Sequence, residues 1–165
     1  MKKNILVTGS PGSGKTMLIE KVASMIKPPV AGFLTREICE NGRRVRFAIE
    51  SFDGHDGILA HVHQRGPLRI GKYGVNIVIL DAIAVQSISV DSPDILIIID
   101  EIGRMKCLSP VFKRAVLDVL ESRNPVLASI ALRGDSFIDG IQVFTRYMSI
   151  MNKANPNVIK SDRLS

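Results

Sequence analysis

The chain has 165 residues but no tryptophan, and aromatic side chains make up only 5% of it. Surfaces that bind single-stranded nucleic acid usually stack bases on aromatic rings, so the chain supplies such a platform poorly. Long apolar runs are missing too: the longest spans residues 95–99, far short of the roughly 20 residues that cross a membrane. An apolar run at residues 5–7 ends before it reaches the length of a secretory signal. We therefore expect no membrane segment and no export signal.

Metal-ligating and redox-active residues are scarce. The two cysteines, Cys39 and Cys107, do not form a CxxC pair, which excludes a disulfide framework and a four-cysteine zinc site. We expect two reduced thiols in a cytoplasmic protein. His61 and His63 would share one face of a strand and offer two metal ligands, but no third ligand has motif spacing. Solvated histidines in a loop are the simpler interpretation.

The charge balance is basic, with 22 lysines and arginines against 16 aspartates and glutamates, for a net charge of +6. A surplus of this sign suits a polyanionic ligand such as a nucleotide, a nucleic acid or a membrane surface. Hydrophobic residues make up 45% of the chain and charged residues 23%, which is typical of soluble globular proteins. No linker or repeat divides the sequence, so residues 1–165 are predicted to form one domain.

Apolar strands alternate with amphipathic helices along the chain. Strands are predicted over residues 3–8, 30–38, 94–99, 126–132 and 141–145, with a β-hairpin around the turn signal Asn41-Gly42. Helices are predicted from Lys15 to the Pro28-Pro29 pair and from Ser109-Pro110 to Asn124-Pro125. The glycine-rich residues 51–74 are predicted as loops with short extended pieces, and residues 75–90 fit a strand or a helix. This alternation predicts an α/β sandwich with a mainly parallel central sheet.

The segment after the first strand fits the phosphate-loop pattern G-x-x-x-x-G-K-[ST] at every fixed position. It consists of Gly9, Ser10, Pro11, Gly12, Ser13, Gly14, Lys15 and Thr16. Glycines permit backbone angles that turn successive N–H groups inward, which makes an anion nest at the positive end of the following helix. Lys15 supplies a charge for the β- and γ-phosphates, and the Thr16 hydroxyl can bind Mg²⁺. The loop therefore predicts a nucleotide site.

The second half of this site is predicted at the end of the apolar strand 94–99. The residues assigned to nucleotide binding here are Ile97, Ile98, Ile99, Asp100, Glu101, Ile102, Gly103 and Arg104. Asp100 would hold the Mg²⁺ shell as a Walker-B aspartate does, so Thr16 and Asp100 are the predicted metal ligands. Pleating turns Glu101 to the other side of the strand tip, where it would orient a water for attack on the γ-phosphate. Lys15, Glu101 and Arg104 are the predicted catalytic residues, with Arg133 as an alternative to Arg104.

Taken together, these motifs resemble the small thermostable-type nucleoside-triphosphatases, whose vertebrate relatives are called cancer-related nucleoside-triphosphatases. The resemblance rests on the phosphate loop and on segments AGFLTRE (31–37), NGRRVRF (41–47), RIGKYGV (69–75) and IDEIGRM (99–105). It implies a RecA-like P-loop fold with the hairpin as an addition, and slow Mg²⁺-dependent hydrolysis of several nucleoside triphosphates to diphosphate and phosphate. It also favours a helix over residues 75–90.

The sequence departs from the family pattern after the Asp-Glu-Ile-Gly motif and near its C-terminus. Where the family usually carries Glu-Leu, this chain has Lys106 and Cys107. That charge reversal near the metal side predicts weaker Mg²⁺ binding or turnover. Residues 145–152 match the family poorly, so base contacts are not assigned. Because no guanine-reading Asn-Lys-x-Asp occurs, we expect ATP, GTP, CTP and UTP all to be substrates.

Two other functions stay open on the sequence. A nucleotide or small-molecule kinase uses the same loop, and Arg36 with the arginines of residues 43–46 imitates an arginine-rich lid. The Asp-Glu pair favours water as the acceptor over an organic hydroxyl. A nucleotide-gated nucleic-acid-binding module would draw on the net charge of +6. We expect a monomer whose partner is a nucleoside triphosphate.

Overall fold

The computed structural model describes residues 4–27, 29–144, 147–150 and 160–161. In chain order the elements are β1 (Asn4–Gly9), α1 (Lys15–Met25), β2 (Val30–Glu40), β3 (Arg43–Ser51), β4 (Asp56–His61), β5 (Arg69–Ile70), β6 (Tyr73–Val75), α2 (Ile77–Ile79), a π-helical segment (Leu80–Val85), α3 (Gln86–Ile88), β7 (Leu96–Ile102), a 3₁₀ turn (Lys106–Leu108), α4 (Pro110–Glu121), β8 (Val126–Ala131), α5 (Ser136–Phe144), β9 (Tyr147–Ile150) and β10 (Lys160–Ser161). No helix in these ranges is long and apolar enough to cross a membrane.

The strands of the described ranges form one mixed sheet in the order β10-β9-β1-β8-β7-β2-β3-β4-β6-β5. Strands β9, β1, β8, β7 and β2 are parallel neighbours. The strands from β3 to β5 continue the sheet in antiparallel fashion, and β10 adds an antiparallel strand at the other edge. The α/β class is therefore confirmed, but the expectation of a mainly parallel sheet is wrong.

Residues 51–74, predicted as loops with short extended pieces, contribute the short strands β4 and β5 and most of β6 to the antiparallel side of the sheet. Gly57 and Gly74 lie inside strands β4 and β6. A Cβ on Gly57 would lie 2.8 Å from a methyl carbon of Ile79, and one on Gly74 would lie 2.2 Å from the carbonyl oxygen of Gln64. These glycines permit close approach of neighbouring groups instead of marking turns. The added hairpin thus becomes an antiparallel extension of the sheet.

Residues 77–88 and residues 141–144 are both helical in the structure. Residues 77–88 form one helical run that begins at the N-cap Asn76, so the helix that the family resemblance favoured is confirmed. The strand predicted at residues 141–145 is wrong, because α5 covers Ser136–Phe144. Ile138 and Ile141 are both buried and stand three residues apart, which is helical spacing. The Asp135 carboxylate accepts a 3.0 Å hydrogen bond from the backbone N–H of Ile138, as an N-cap does. Thr145 lies outside the described residues.

Helices cover both faces of the parallel strands. Helix α1 packs on one face through the fully buried Ile19, beside Val7 and Leu127. The helical run 77–88 and α4 pack on the other face, where Leu80 and Phe112 are fully buried. Because β1, β7 and β8 run parallel, their carboxyl ends meet at one edge of the sheet, which is where ligands bind in open α/β sheets.

Candidate active site

The phosphate loop lies at the carboxyl edge of the sheet, between β1 and α1. Gly12 and Gly14 have φ values of 77° and 93°, in the left-handed region that side chains other than glycine rarely adopt. Helix α1 begins directly after the loop, and no side chain caps its N-terminus. The first N–H groups of α1 therefore lack a side-chain acceptor, which leaves them available to an anion.

Lys15 lies folded over the loop. Its Nζ donates to the carbonyl oxygens of Gly9 at 2.9 Å and Ser10 at 3.4 Å. The same atom lies 3.9 Å from Oε2 of Glu101. The structure thus brings together the lysine and the glutamate that the sequence analysis assigned to the reaction.

Asp100 is almost completely buried, and both of its carboxylate oxygens accept hydrogen bonds. Thr16 Oγ1 donates to Oδ2 at 2.8 Å, and Ser129 Oγ donates to Oδ1. The hydroxyl of Thr35, on β2, donates to the backbone carbonyl of the same aspartate. Residues from α1, β2 and β8 therefore fix the position of this one carboxylate and its backbone.

Ser129 and Thr35 are site residues that sequence reasoning missed. The sequence does single out Ser129, because it is the one polar residue in the apolar strand β8. In the structure its side chain is fully buried. A polar group in that setting needs a partner. Thr35 belongs to the segment 31–37 that carried the family resemblance, but nothing in the spacing indicated its contact with Asp100.

Glu101 presents a half-exposed carboxylate beside Gly103. A Cβ on Gly103 would lie 2.7 Å from Oε1 of Glu101, so the carboxylate occupies the space that a larger residue would need. The ladder between β7 and β8 is irregular between Ile99 and Ile102, and the Asp100–Glu101 peptide bond is cis. The glycine of the Asp-Glu-Ile-Gly motif thus makes room for the glutamate.

Lys106 is buried next to this strand end, with only 3% of its surface exposed. Its Nζ lies 5.7 Å from the centroid of the Phe33 ring. Burial lowers the pKa of Lys106, and the negative charges of Glu101 and Asp100 oppose that shift. The adjacent Cys107 is buried as well, and burial raises the pKa of its thiol to about 12.

Several predicted residues lie away from the convergence of Lys15, Thr16, Asp100 and Glu101. The side chains of Ile97, Ile98, Ile99 and Ile102 are at most 1% exposed. They form the core beneath the strand end and do not line the site. Arg104 and Arg133 are exposed, and neither forms a hydrogen bond or ion pair with any residue that the structure describes.

Three arginines of β2 and β3 pair with glutamates, whereas Arg43 is exposed. Arg44 lies 2.6 Å from Glu37, and Arg46 lies 3.7 Å from Glu40. Arg36 pairs with Glu50 at 3.0 Å and with Glu20 on α1. Hydrogen bonds to Glu50 and to Tyr73, respectively, are the main causes that raise the pKa of Arg36 and of Arg44. Paired arginines of this kind fit neither an open phosphate lid nor a nucleic-acid surface well.

The two histidines of β4 and the loop after it lie side by side. The ring centroids of His61 and His63 are 5.3 Å apart, and Nδ1 of His61 accepts a 2.9 Å hydrogen bond from the backbone N–H of His63. That bond occupies one of the two ring nitrogens of His61. Within the described residues, no group of three or more His, Cys, Asp or Glu side chains could hold a metal ion.

A family model described as NTPase matches residues 4–162 of the chain. The chain belongs to this NTPase family. A protein named nucleoside-triphosphatase THEP1 from Thermotoga sp. (strain RQ2) is 39% identical over 164 residues, which cover 98% of this chain and 93% of the relative. A relative of the same name from Methanosarcina acetivorans is 43% identical over 129 residues, which cover 75% of this chain and 73% of the relative.

Two solved structures resemble this member of the NTPase family over most of its length. The crystal structure of THEP1 from Aquifex aeolicus has a TM-score of 0.78 and 27% identity, and covers 93% of this chain and 90% of that chain. The solution structure of a human cancer-related nucleoside triphosphatase has a TM-score of 0.76 and 29% identity, and covers 93% and 91% of the two chains. The expected relationship to both groups of proteins is confirmed.

Proposed function

We propose that the protein hydrolyses nucleoside triphosphates to nucleoside diphosphates and phosphate at the loop of residues 9–16. The observation that carries this proposal is the convergence of four side chains at the carboxyl edge of the sheet: Lys15, Thr16, Asp100 and Glu101. The names of the relatives, nucleoside-triphosphatase THEP1, support the same activity. Phosphoryl transfer needs mainly positioning and charge stabilisation, which a nest, a lysine and a metal can supply.

Mg²⁺ is the proposed cofactor, held by Thr16 and Asp100. The Thr16 hydroxyl oxygen and Oδ2 of Asp100 are hard metal ligands only 2.8 Å apart. Mg²⁺ prefers a few such protein oxygens beside phosphate oxygens. When bound, the metal would neutralise charge on the β- and γ-phosphates. Ser129 holds the carboxylate of Asp100 from the opposite side.

Lys15 and the N-terminus of α1 would bind the triphosphate. In the present structure the Lys15 ammonium is satisfied by the neutral carbonyl oxygens of Gly9 and Ser10. Phosphate oxygens carry charge and accept stronger hydrogen bonds than carbonyl oxygens do. Bound phosphate would therefore compete successfully for this ammonium and for the uncapped N–H groups of the helix.

Glu101 would orient the attacking water and accept its proton. Its side chain is 39% exposed, whereas Asp100 is 2% exposed and engaged by two hydroxyl groups. Of these two carboxylates, only that of Glu101 is thus free to reach solvent. Its position next to Lys15 puts it on the side of the site where the γ-phosphate would bind.

Substrate breadth follows from which contacts the site offers. The contacts named above all address phosphates, and discrimination among bases requires polar groups that the wrong base leaves unpaired. We therefore propose that ATP, GTP, CTP and UTP are all hydrolysed, with kcat/KM values within about tenfold of one another. The segment for which base contacts were not assigned includes Thr145 and Arg146, which lie outside the described residues.

The test uses each of the four triphosphates with a γ-label, in Mg²⁺, together with a panel of nucleosides and monophosphates. Label that appears only in free phosphate supports the hydrolase. Label in an organic acceptor would instead support the kinase that the sequence left open. If the wild-type protein transfers no label at all, the proposal is wrong.

A further inference from the structure

The backbone of Asp100 and Glu101 lies in a gap of the sheet. The parallel pairing of β2 with β7 ends at Phe33 and Ile99. On the other side, the pairing of β7 with β8 skips the two acidic residues and resumes at Ile102. The ladders with both neighbouring strands thus leave out the peptide unit that joins the two carboxylate-bearing residues. Its carbonyl group needs a hydrogen-bond donor from elsewhere, since buried backbone groups are rarely left unpaired.

Thr35 supplies that donor from β2. Its hydroxyl donates to the backbone carbonyl of Asp100, which belongs to the peptide group that links Asp100 to Glu101. Thr35 stands two residues beyond Phe33, the last residue of β2 to pair with β7, so its side chain takes over where the backbone pairing stops. A peptide group is planar, so fixing its carbonyl limits the directions that the Glu101 side chain can take.

Strand β2 is itself anchored at this position on both faces. Side chains alternate along a strand, so Thr35 and Arg36 point to opposite faces of the sheet. The Arg36 guanidinium pairs with Glu50 on β3 at 3.0 Å and with Glu20 on α1, the helix that follows the phosphate loop. The Thr35 hydroxyl is therefore presented by a stretch of backbone that has partners on each side.

The two acidic residues depend on this hydrogen bond to different degrees. The Asp100 carboxylate accepts two further hydrogen bonds, one at each of its oxygens. The Glu101 side chain is 39% exposed, and its carboxylate lies 3.9 Å from the ammonium of Lys15, which is too long for a hydrogen bond. Loss of the Thr35 hydroxyl should therefore displace the Glu101 carboxylate more than that of Asp100.

We propose that Thr35 is a positioning residue for the hydrolysis reaction: its hydroxyl holds the peptide group between Asp100 and Glu101, and so aligns the Glu101 carboxylate with the attacking water. This inference rests on the proposed function. Thr35 acts through the backbone of Asp100 and does not touch the reacting atoms. Its removal should impair turnover and leave the metal site and the nucleotide affinity in place.

The test compares Thr35→Val with Thr35→Ser, read as kcat, KM, calorimetric nucleotide affinity in Mg²⁺ and melting temperature. Valine keeps the branched shape of threonine, which suits a strand, but has no hydroxyl. We expect Thr35→Val to lower kcat at least about tenfold, because small misalignments of a reacting group are costly. The KM and the affinity should stay within about threefold of the wild-type values. Thr35→Ser retains a hydroxyl and should keep most of the wild-type kcat.

Two comparisons separate this role from a general loss of packing. In the Glu101→Gln background, Thr35→Val should cost no further turnover, because residues that act as one unit are not additive. Ser87→Ala is the matched control, since Ser87 is buried and its hydroxyl also donates to a backbone carbonyl, that of Ala84, at 2.9 Å. It should leave kcat unchanged. If Thr35→Val does not fold, Thr35→Ala replaces it and is compared with the serine variant in the same way.

Three results would overturn the inference and leave the proposed function intact. They are a wild-type kcat for Thr35→Val, a kcat of Thr35→Ser no higher than that of the valine variant, and an equal loss in the wild-type and Glu101→Gln backgrounds. If the wild type releases no phosphate, the proposed function fails first and this inference with it.

Discussion

Thr16 donates a 2.8 Å hydrogen bond from its hydroxyl to Oδ2 of Asp100, a residue 84 positions further along the chain. The bond joins the first turn of α1 to the end of β7, so it connects the phosphate loop to the strand that carries the two acidic residues. It exists because β8 lies between β1 and β7, with all three parallel. The same strand order brings Ser129 to the other oxygen of that carboxylate.

Ser129→Ala should weaken the Mg²⁺ dependence of nucleotide binding. The change leaves Oδ1 of the buried Asp100 without its donor, which is expected to lower the free energy of unfolding by about 1–3 kcal/mol. Calorimetric titrations of nucleotide with and without Mg²⁺ measure the first effect, and urea unfolding measures the second. Ser87→Ala is the control, because Ser87 is a buried serine that bonds to the Ala84 carbonyl within a helix. An unaltered Mg²⁺ dependence would show that Ser129 does not position the aspartate.

Gly103→Ala should lower turnover with little effect on stability. The new Cβ would lie 2.7 Å from Oε1 of Glu101, and the end of that flexible side chain can move away. A displaced carboxylate loses alignment with the water, so we expect kcat to fall by at least about tenfold while nucleotide affinity is kept. The control is Gly140→Ala in α5, where a Cβ meets nothing within 4 Å. Equal kcat for the wild type and Gly103→Ala would contradict the assigned position of Glu101.

Parts of this site could be predicted because the residues that form them lie within single short segments of the sequence. The loop of residues 9–16 and the buried strand before Asp100 follow from spacing and composition within single segments. The contacts of Ser129 and Thr35 with Asp100 span 29 and 65 positions and depend on strand order. The pattern of one sequence does not give that order. Likewise, the burial of Lys106 depends on the ring of Phe33, which β2 brings beside β7.

The extent of the antiparallel strands was underestimated because of how glycine was interpreted. Glycine was interpreted as a turn signal over residues 51–74, although Gly57 and Gly74 are needed where other groups approach strands closely. Gly32 shows the same effect within β2: its φ is 104°, and a Cβ there would lie 1.9 Å from the carbonyl oxygen of Ile98. Whether a glycine ends a strand or permits contact depends on its neighbours in space, which local pattern does not encode.

The two cysteines should differ sharply in reactivity. Cys39 is exposed, whereas Cys107 is buried and its pKa is raised to about 12. Only the thiolate is nucleophilic, so at a pH near 8 the thiol of Cys107 is almost entirely protonated as well as shielded. We expect a thiol reagent to label one cysteine in the native protein, identified as Cys39 by mass spectrometry, and both after denaturation. Equal labelling rates in the native protein would contradict the buried position of Cys107.

We propose that the loop of residues 9–16 binds Mg²⁺·nucleotide and that Glu101 then activates water. Steady-state phosphate release by Glu101→Gln, measured beside calorimetric nucleotide affinity in Mg²⁺, separates these two roles. We predict affinity within about threefold of wild type and a loss of at least about 100-fold in kcat, as expected for removal of a general base. Lys15→Ala, by comparison, should lose affinity. Phosphate release by Glu101→Gln at the wild-type rate would contradict the claim.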